Sequence, residues 1–294
     1  MQIGLVGLGR MGVAIGQRLI ELGYNLTVWN RSPDKAKPLT DLGAVFVSNP
    51  AEVADRAEII LSILTDAAAI DAVYSGPAGL LSTNVQGKLF IEMSTVRPET
   101  EIALATKVQA EGAALVECPV GGSTGPARQG KLIGLMGGSE ADAARARVIL
   151  QQLCKRLEHI GPIGSGSTMK LAINLPLMIY WQAFGEALAM CRDLKLDPAQ
   201  MIDLFTETSG GTNALKVRGP AIAAMLSGGD PGLTGFDIDS GRKDLRTMIA
   251  EAKSRGIELP LAERTLACFD EASREGWGGR DGSTMPVFWS RRGK

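Results

Sequence analysis

The chain has one histidine, four cysteines and a formal net charge of only -1 over 294 residues. Each scarcity closes off a class of chemistry. His159 sits in Arg156-Leu-Glu-His159-Ile-Gly161, which reads as the end of a strand running into a turn. A lone histidine there is structural far more often than catalytic. No zinc ligand set can be built around it, and designs that use an imidazole as proton relay are set aside. Cys118, Cys154, Cys191 and Cys268 are far apart with no C-x-x-C pair, as expected of reduced, mostly buried thiols in a cytosolic protein. The near-neutral charge gives no reason to expect nucleic acid or an acidic membrane as partner, and no apolar run approaches the ~18 residues needed to span a bilayer. Met1 leads directly into a strand pattern, so no signal peptide is expected and the expected location is cytoplasmic. There is no repeat of solenoid period and no low-complexity segment. Lysine remains as the side chain suited to moving a proton.

What the chain does have begins at its N-terminus. Gln2-Ile3-Gly4-Leu5-Val6 reads as a short apolar strand running into Gly7-Leu8-Gly9-Arg10-Met11-Gly12, and a helical pattern follows through Val13, Ile15, Leu19, Ile20 and Leu22. In a strand, turn and helix unit, the first glycine permits the tight turn and the second lets the backbone approach a pyrophosphate. The third packs the helix on the strand, and the helix N-terminus attracts negative charge. A lone GxGxxG is weak; in this context it predicts dinucleotide binding, against a purely structural turn.

A second strand, Asn25 to Trp29, ends in Asn30-Arg31-Ser32, about where a Rossmann fold reads the adenosine ribose. An acidic residue there would bind the 2′-hydroxyl of NAD and repel a 2′-phosphate. Neutral Asn30 followed by Arg31 favours NADP(H), with NAD(H) possible. The Arg31 guanidinium can bond phosphate oxygens bidentately and Ser32 can donate to them. Ser32 is equally placed to cap a helix beginning at Pro33.

Strand and helix patterns alternate to about residue 160, with apolar runs at 44–47, 58–64, 88–93, 114–117, 132–136 and 157–160. That alternation predicts a doubly wound, mostly parallel sheet. Beyond Gly166 the period becomes 3.6, with helices expected near 165–194, 197–208, 214–227, 239–256 and 259–275. The expected organisation is an α/β Rossmann domain over 1–162, followed by an all-helical domain over 163–294 that begins with a long helix.

Within that helix, Lys170 and Asn174 lie one turn apart after a glycine-rich lead, Gly164-Ser-Gly166-Ser-Thr-Met. An ammonium beside a carboxamide on a rigid element can exchange a proton with a substrate hydroxyl while the amide holds that hydroxyl. Leu177, Met178 and Trp181 continue the stripe. Met178 and Trp181 are candidates for lining a substrate pocket, against ordinary core packing. Pro176 removes one backbone bond, so a kink is expected there. Three strand-end loops carry further candidates: Leu64-Thr65, Ser94-Thr95 and Gly121-Gly122-Ser123, the last with glycines whose amides can converge on a carboxylate.

Taken together, GLGxMG at 7–12, NRS at 30–32, ST-x-x-P at 94–98, PVGGSTGPARQGKL at 119–132, GSGSTMKLAIN at 164–174 and KD at 243–244 resemble the β-hydroxyacid dehydrogenase family, over essentially the whole chain. That family includes 3-hydroxyisobutyrate dehydrogenases and, more distantly, 6-phosphogluconate dehydrogenases. The resemblance implies Lys170 as acid/base catalyst and Asn174 as its positioning partner. It implies Ser94, Gly122 and Ser123 on the substrate carboxylate, and Leu64, Thr65 and Thr95 near the nicotinamide. Lys243 and Asp244 would act from the helical domain, with Lys243 near the nicotinamide ribose.

One departure stands out: where many members read D-A-P-V-S-G-G, this chain reads Glu117-Cys-Pro-Val-Gly121-Gly122-Ser123, so a serine hydroxyl expected at 121 is missing. Imine reductases of the same fold usually replace the lysine with Asp or Tyr, and Lys170 argues against that branch. The implied activity is hydride transfer between NADP(H) and a short 3-hydroxy acid. Its rivals are an NADPH-dependent reductase of small aldehyde acids such as glyoxylate or succinic semialdehyde, and a non-catalytic NADP(H)-binding sensor. A homodimer or higher oligomer is expected through apolar faces around Leu188, Met201, Ile222, Met225 and Leu261 of the helical domain.

Overall fold

The computed structural model describes residues 2–292 apart from Pro231 and Leu233. Two compact units divide at Leu171 and Ala172. The first is built on one sheet, with strands β1 (Gln2–Val6), β2 (Asn25–Trp29), β3 (Val45–Phe46), β4 (Ile59–Ser62), β5 (Leu89–Glu92), β6 (Ala114–Glu117), β7 (Val120–Gly121), β8 (Leu132–Gly137) and β9 (Cys154–Gly161). The sequence does not reveal β7, whose two residues are too few to show a period.

The order is β3-β2-β1-β4-β5-β6-β8-β7, with β9 beside β8. The first six strands pair in parallel, in the doubly wound order that reverses direction between β1 and β4. β8 runs antiparallel to β6 and β7 and parallel to β9. Both faces of the central strands are buried, which is why they read as continuous apolar runs. Ile3, Leu5, Leu89 and Ile91 pack with Ile15, Leu19, Ala146 and Ile149 on one face. Val6, Ile60, Phe90 and Leu115 pack with Tyr74, Leu104 and Val108 on the other.

At the C-terminal strand ends the registers place Val6 beside Ser62, Ser62 beside Glu92, Glu92 beside Glu117 and Glu117 beside Gly137. A polar row therefore crosses the top of the second apolar face. Ser62, Glu92 and Glu117 are all fully buried.

A helix over Ser165–Met190 starts in the first unit and continues through Pro176 into the second. The second unit adds helices at Pro198–Thr206, Asn213–Leu226, Ile238–Ser254, Pro260–Ala272 and Met285–Ser290. Asp197, Thr212 and Asp237 cap the first three through side-chain oxygens that accept from first-turn amides. The short 285–290 helix was not expected; six residues with Pro286 inside leave no measurable period. Of the residues expected on an oligomer face, Leu188, Ile222 and Met225 are instead buried within the chain, whereas Leu261 is exposed.

Candidate active site

The turn after β1 is shaped by backbone contact. Gly7 has φ 90°, and a Cβ there would press on the carbonyl of Ile63; a Cβ at Gly12 would fall on the carbonyl oxygen of Gly7. At Gly9, by contrast, a Cβ would meet only open space, so the backbone at the second glycine is approachable from outside. Gly9 is also the N-cap of the Arg10–Glu21 helix, which has no side-chain cap and no acidic residue in its first turn. A helix end left so by its own sequence suits a bound anion, and the cradle therefore fits a dinucleotide pyrophosphate.

Asn30 turns inward. Its Oδ1 accepts from the Leu8 amide at 2.9 Å and its Nδ2 donates to the Ser32 carbonyl at 2.9 Å, tying the end of β2 to the glycine turn. Arg31 and Ser32 are exposed beside it. Ser32 occupies the N-cap before Pro33, yet its hydroxyl makes no capping bond. The exposed pair thus presents a guanidinium and a hydroxyl, without a carboxylate, at the end of β2.

The loops after β4 and β5 are joined. The Leu64 amide donates to Ser94 Oγ at 2.7 Å, and Ser94 Oγ donates to Glu92 Oε1. Ser94 is only 2% exposed, so the hydroxyl expected on a substrate carboxylate spends its hydrogen on Glu92. Thr65 is exposed and Thr95 is half-buried. Gly122 is exposed, and Ser123 holds the N-cap position of the Thr124–Arg128 turn without a side-chain capping bond.

Lys170 stands in the second turn of the Ser165–Met190 helix and is 8% exposed. The start of that helix is fastened to the sheet by Glu117. Its Oε1 accepts from the amides of Gly164 (2.5 Å) and Gly166 (2.9 Å), and its Oε2 from the Ser167 amide (3.2 Å) and hydroxyl (2.5 Å). Burial pushes the Glu117 carboxyl up, and these four donors oppose that shift. Gly166 allows the approach, since a Cβ there would collide with the Leu135 carbonyl. The catalytic candidate therefore rides on a helix whose first turn is bonded to β6.

In the second unit, Asn174 Nδ2 donates to Asp244 Oδ2 at 3.2 Å, and Lys243 Nζ lies 2.7 Å from Asp244 Oδ1. The sequence placed Asn174, Lys243 and Asp244 in one site, and the structure brings them together. Met178 and Trp181 are buried, Met178 against Gly241. Among the described residues no group of three His, Cys, Asp or Glu is arranged to hold a metal ion, and no helix is long and apolar enough to cross a membrane. Burial pushes the Cys154 thiol up to about 12 and raises Cys118 well above its ordinary value, so neither supplies a thiolate. Sequence reasoning missed Glu92, Glu101 and Glu117, three carboxyls with no exposure at all. The signal that could have found Glu92 and Glu117 was an acid closing an otherwise apolar strand.

A mostly parallel sheet with a glycine turn at its reversal point, followed by a lysine-bearing helix and a helical unit, is the architecture of a dinucleotide-binding protein. Comparison with known proteins agrees. Residues 2–161 match the family described as the NAD binding domain of 6-phosphogluconate dehydrogenase, and residues 164–288 match that described as NAD-binding of NADP-dependent 3-hydroxyisobutyrate dehydrogenase. The chain is 30% identical to glyoxylate/succinic semialdehyde reductase 1 of Arabidopsis thaliana, with 97% of each chain covered. It is 31% identical to a probable mitochondrial 3-hydroxyisobutyrate dehydrogenase of Dictyostelium discoideum, over 99% of this chain and 92% of that one. Among solved structures, Psf3 in complex with NADP+ and 2-OPP superposes with a TM-score of 0.85 at 26% identity, covering 97% and 99% of the two chains. The chain belongs to the β-hydroxyacid dehydrogenase family, NAD(P)-dependent oxidoreductases that act on CH-OH groups.

Proposed function

We propose that the protein transfers a hydride between NADP(H) and the carbinol carbon of a short 3-hydroxy acid, with Lys170 as general acid/base. The observation that carries this reading is a nearly buried lysine on a helix whose first turn is bonded to the sheet. The glycine turn, Arg31 and Ser32 would hold the cofactor phosphates, with Leu64, Thr65, Thr95 and Lys243 toward its nicotinamide end. The cofactor supplies the hydride acceptor in oxidation and the hydride donor in reduction. In oxidation Lys170 Nζ takes the hydroxyl proton as the C–H bond breaks, leaving a carbonyl. In reduction it returns that proton to the alkoxide oxygen. Asn174, whose amide Asp244 already holds, orients the hydroxyl, and the backbone at Gly122 and Ser123 receives the substrate carboxylate. Met178 and Trp181 limit the substrate side chain.

A second reading, an NADPH-dependent reductase of small aldehyde acids, uses the same residues in the other direction. It is favoured by the similarity to the glyoxylate/succinic semialdehyde reductase. Turnover of a panel of 3-hydroxy acids, glyoxylate and succinic semialdehyde with each cofactor separates the two. A protein that turns over none of them is neither.

Cofactor choice is read at Arg31. Arg31→Ala should weaken NADP(H) far more than NAD(H), by about 1.5–3 kcal/mol for a charge-assisted bond to phosphate. Equal losses in kcat/KM for the two cofactors would show that Arg31 does not read the phosphate. We also propose a homodimer or higher oligomer through the helical unit, where Met190, Leu194, Leu204, Val217 and Leu261 expose apolar side chains. Light scattering at micromolar concentration checks this, and a monomeric mass removes it.

A further inference from the structure

The buried carboxyl groups Glu92 and Glu101 take no part in the chemistry above. Glu92 ends β5, and Glu101 lies on the Pro98–Ala110 helix that covers it; both are fully buried. The two carboxyl groups are within hydrogen-bonding reach of one another. Carboxylates only accept, so a bond between them needs a proton.

The donors around the pair show which group carries that proton. Glu92 Oε2 accepts from the Ser94 amide at 2.8 Å, and Oε1 accepts from Ser94 Oγ and, at 3.3 Å, from Ser62 Oγ. Ser62 Oγ lies 2.7 Å from the Tyr74 hydroxyl; with its own hydrogen given to Glu92, it accepts from Tyr74. Every hydrogen in this network points toward Glu92, as an anion requires. Among the described residues, no other donor meets either oxygen of Glu101. With three donors on Glu92 and no other on Glu101, the proton is assigned to Glu101, which donates it to Glu92.

We propose that Glu101 is a positioning residue of the cofactor site: it holds the single proton of a Glu92–Glu101 pair, and through Glu92 it fixes Ser94 as the clamp on the Leu64 amide. The geometry beneath this is the chain of bonds from Glu101 to Glu92, from Glu92 to Ser94 and from Ser94 to Leu64, which joins the loops after β4 and β5. Its functional part rests on the proposed cofactor site, which places Leu64, Thr65 and Thr95 on those loops.

The charged and titratable groups that bear on Glu101 are Glu92 from β5, Glu117 from β6 and Tyr74 from the Ala67–Ser75 helix. On its own helix, Lys107 points away to Asp71, and Glu99 pairs with Arg97 just before it. Burial, then the neighbouring Glu92 and Glu117 charges, hold the Glu101 carboxyl well above the usual range. The unfolded chain releases this proton near ~4.3, whereas the folded chain keeps it to higher pH. The folded state therefore binds the extra proton between those two values. The contribution to stability is fully present below the unfolded value and is lost as pH rises toward the folded one.

The test uses the full chain and three readouts. Isotope-edited infrared spectra with labelled glutamate should show a protonated carboxylic carbonyl at neutral pH in the wild type, and Glu101→Gln should remove it. No such band, or one that survives the substitution, overturns the proposal. Glu101→Gln keeps a neutral donor of the same shape, so it should fold and keep kcat/KM within about twofold. Relative to wild type, its folding equilibrium should gain up to about tenfold per pH unit as pH rises above ~4.3. Failure to fold, or a ratio of variant to wild-type folding constants that stays flat or falls as pH rises, counts against the pair.

Glu101→Leu removes the donor; KM for NADP(H) should rise about tenfold with kcat little changed, the size of one lost hydrogen bond. An unmoved KM overturns the positioning role. If the protein shows no oxidoreductase activity at all, the proposed function fails while the infrared and stability readouts still report on the pair.

Discussion

Lys170→Ala should lower turnover by ~10²–10⁴-fold, the usual contribution of a general acid/base, while NADP(H) still binds and the fold survives. The lysine is in the second helical turn, beyond the three residues that Glu117 bonds, so truncating it leaves the anchorage intact. Lys170→Arg should not restore activity, because a guanidinium stays protonated and cannot accept the hydroxyl proton. Asn174→Ala should lose less, since it orients a group without changing its own protonation. Steady-state turnover beside a fluorescence titration of NADP(H) separates chemistry from binding. Near wild-type turnover in Lys170→Ala would falsify the assignment and leave the Lys-Asn pair as a structural feature.

The largest effect on stability is expected at Glu117. Glu117→Ala strands the amides of Gly164, Gly166 and Ser167 and the Ser167 hydroxyl against the sheet. Each buried donor left unpaired costs about 1–3 kcal/mol, so the four together should cost about 4 kcal/mol or more. Urea denaturation measures it, as a shift of midpoint at constant slope. Turnover in the surviving folded fraction should fall too, because the helix that carries Lys170 loses its fixed start. A change under about 1 kcal/mol would mean that water replaces the carboxylate, and that the anchorage contributes little.

The parts legible in the sequence were those with a local period or a fixed local spacing. β1, the glycine turn and the helix after it are contiguous, and each residue's role follows from its immediate neighbours. Lys170 and Asn174 were legible as a pair because a helix turns every 3.6 residues, whatever surrounds it. Glu117 could be quoted only as a departure from a motif, because the donors it serves lie 47 to 50 residues further on. Glu92 and Glu101 are nine residues apart, but on a strand and a covering helix, and nothing local says that they meet. A sequence pattern treats a carboxylate as a surface group; only the tertiary structure reveals one bonded in the interior. Ser94 illustrates the same limit. Its type and its place at a strand end suited a ligand, whereas its hydroxyl is committed to Leu64 and Glu92.

The anchorage by Glu117 also bears on local unfolding. Helix starts ordinarily fray, since their first amides face water and open at little cost. Here the amides of Gly166 and Ser167 are held from within the sheet by a fully buried side chain, so this helix start cannot loosen without pulling Glu117 out of the strand. The turn before Lys170 therefore opens with the sheet as one cooperative unit, and the lysine keeps its place through the small fluctuations that move other helix ends.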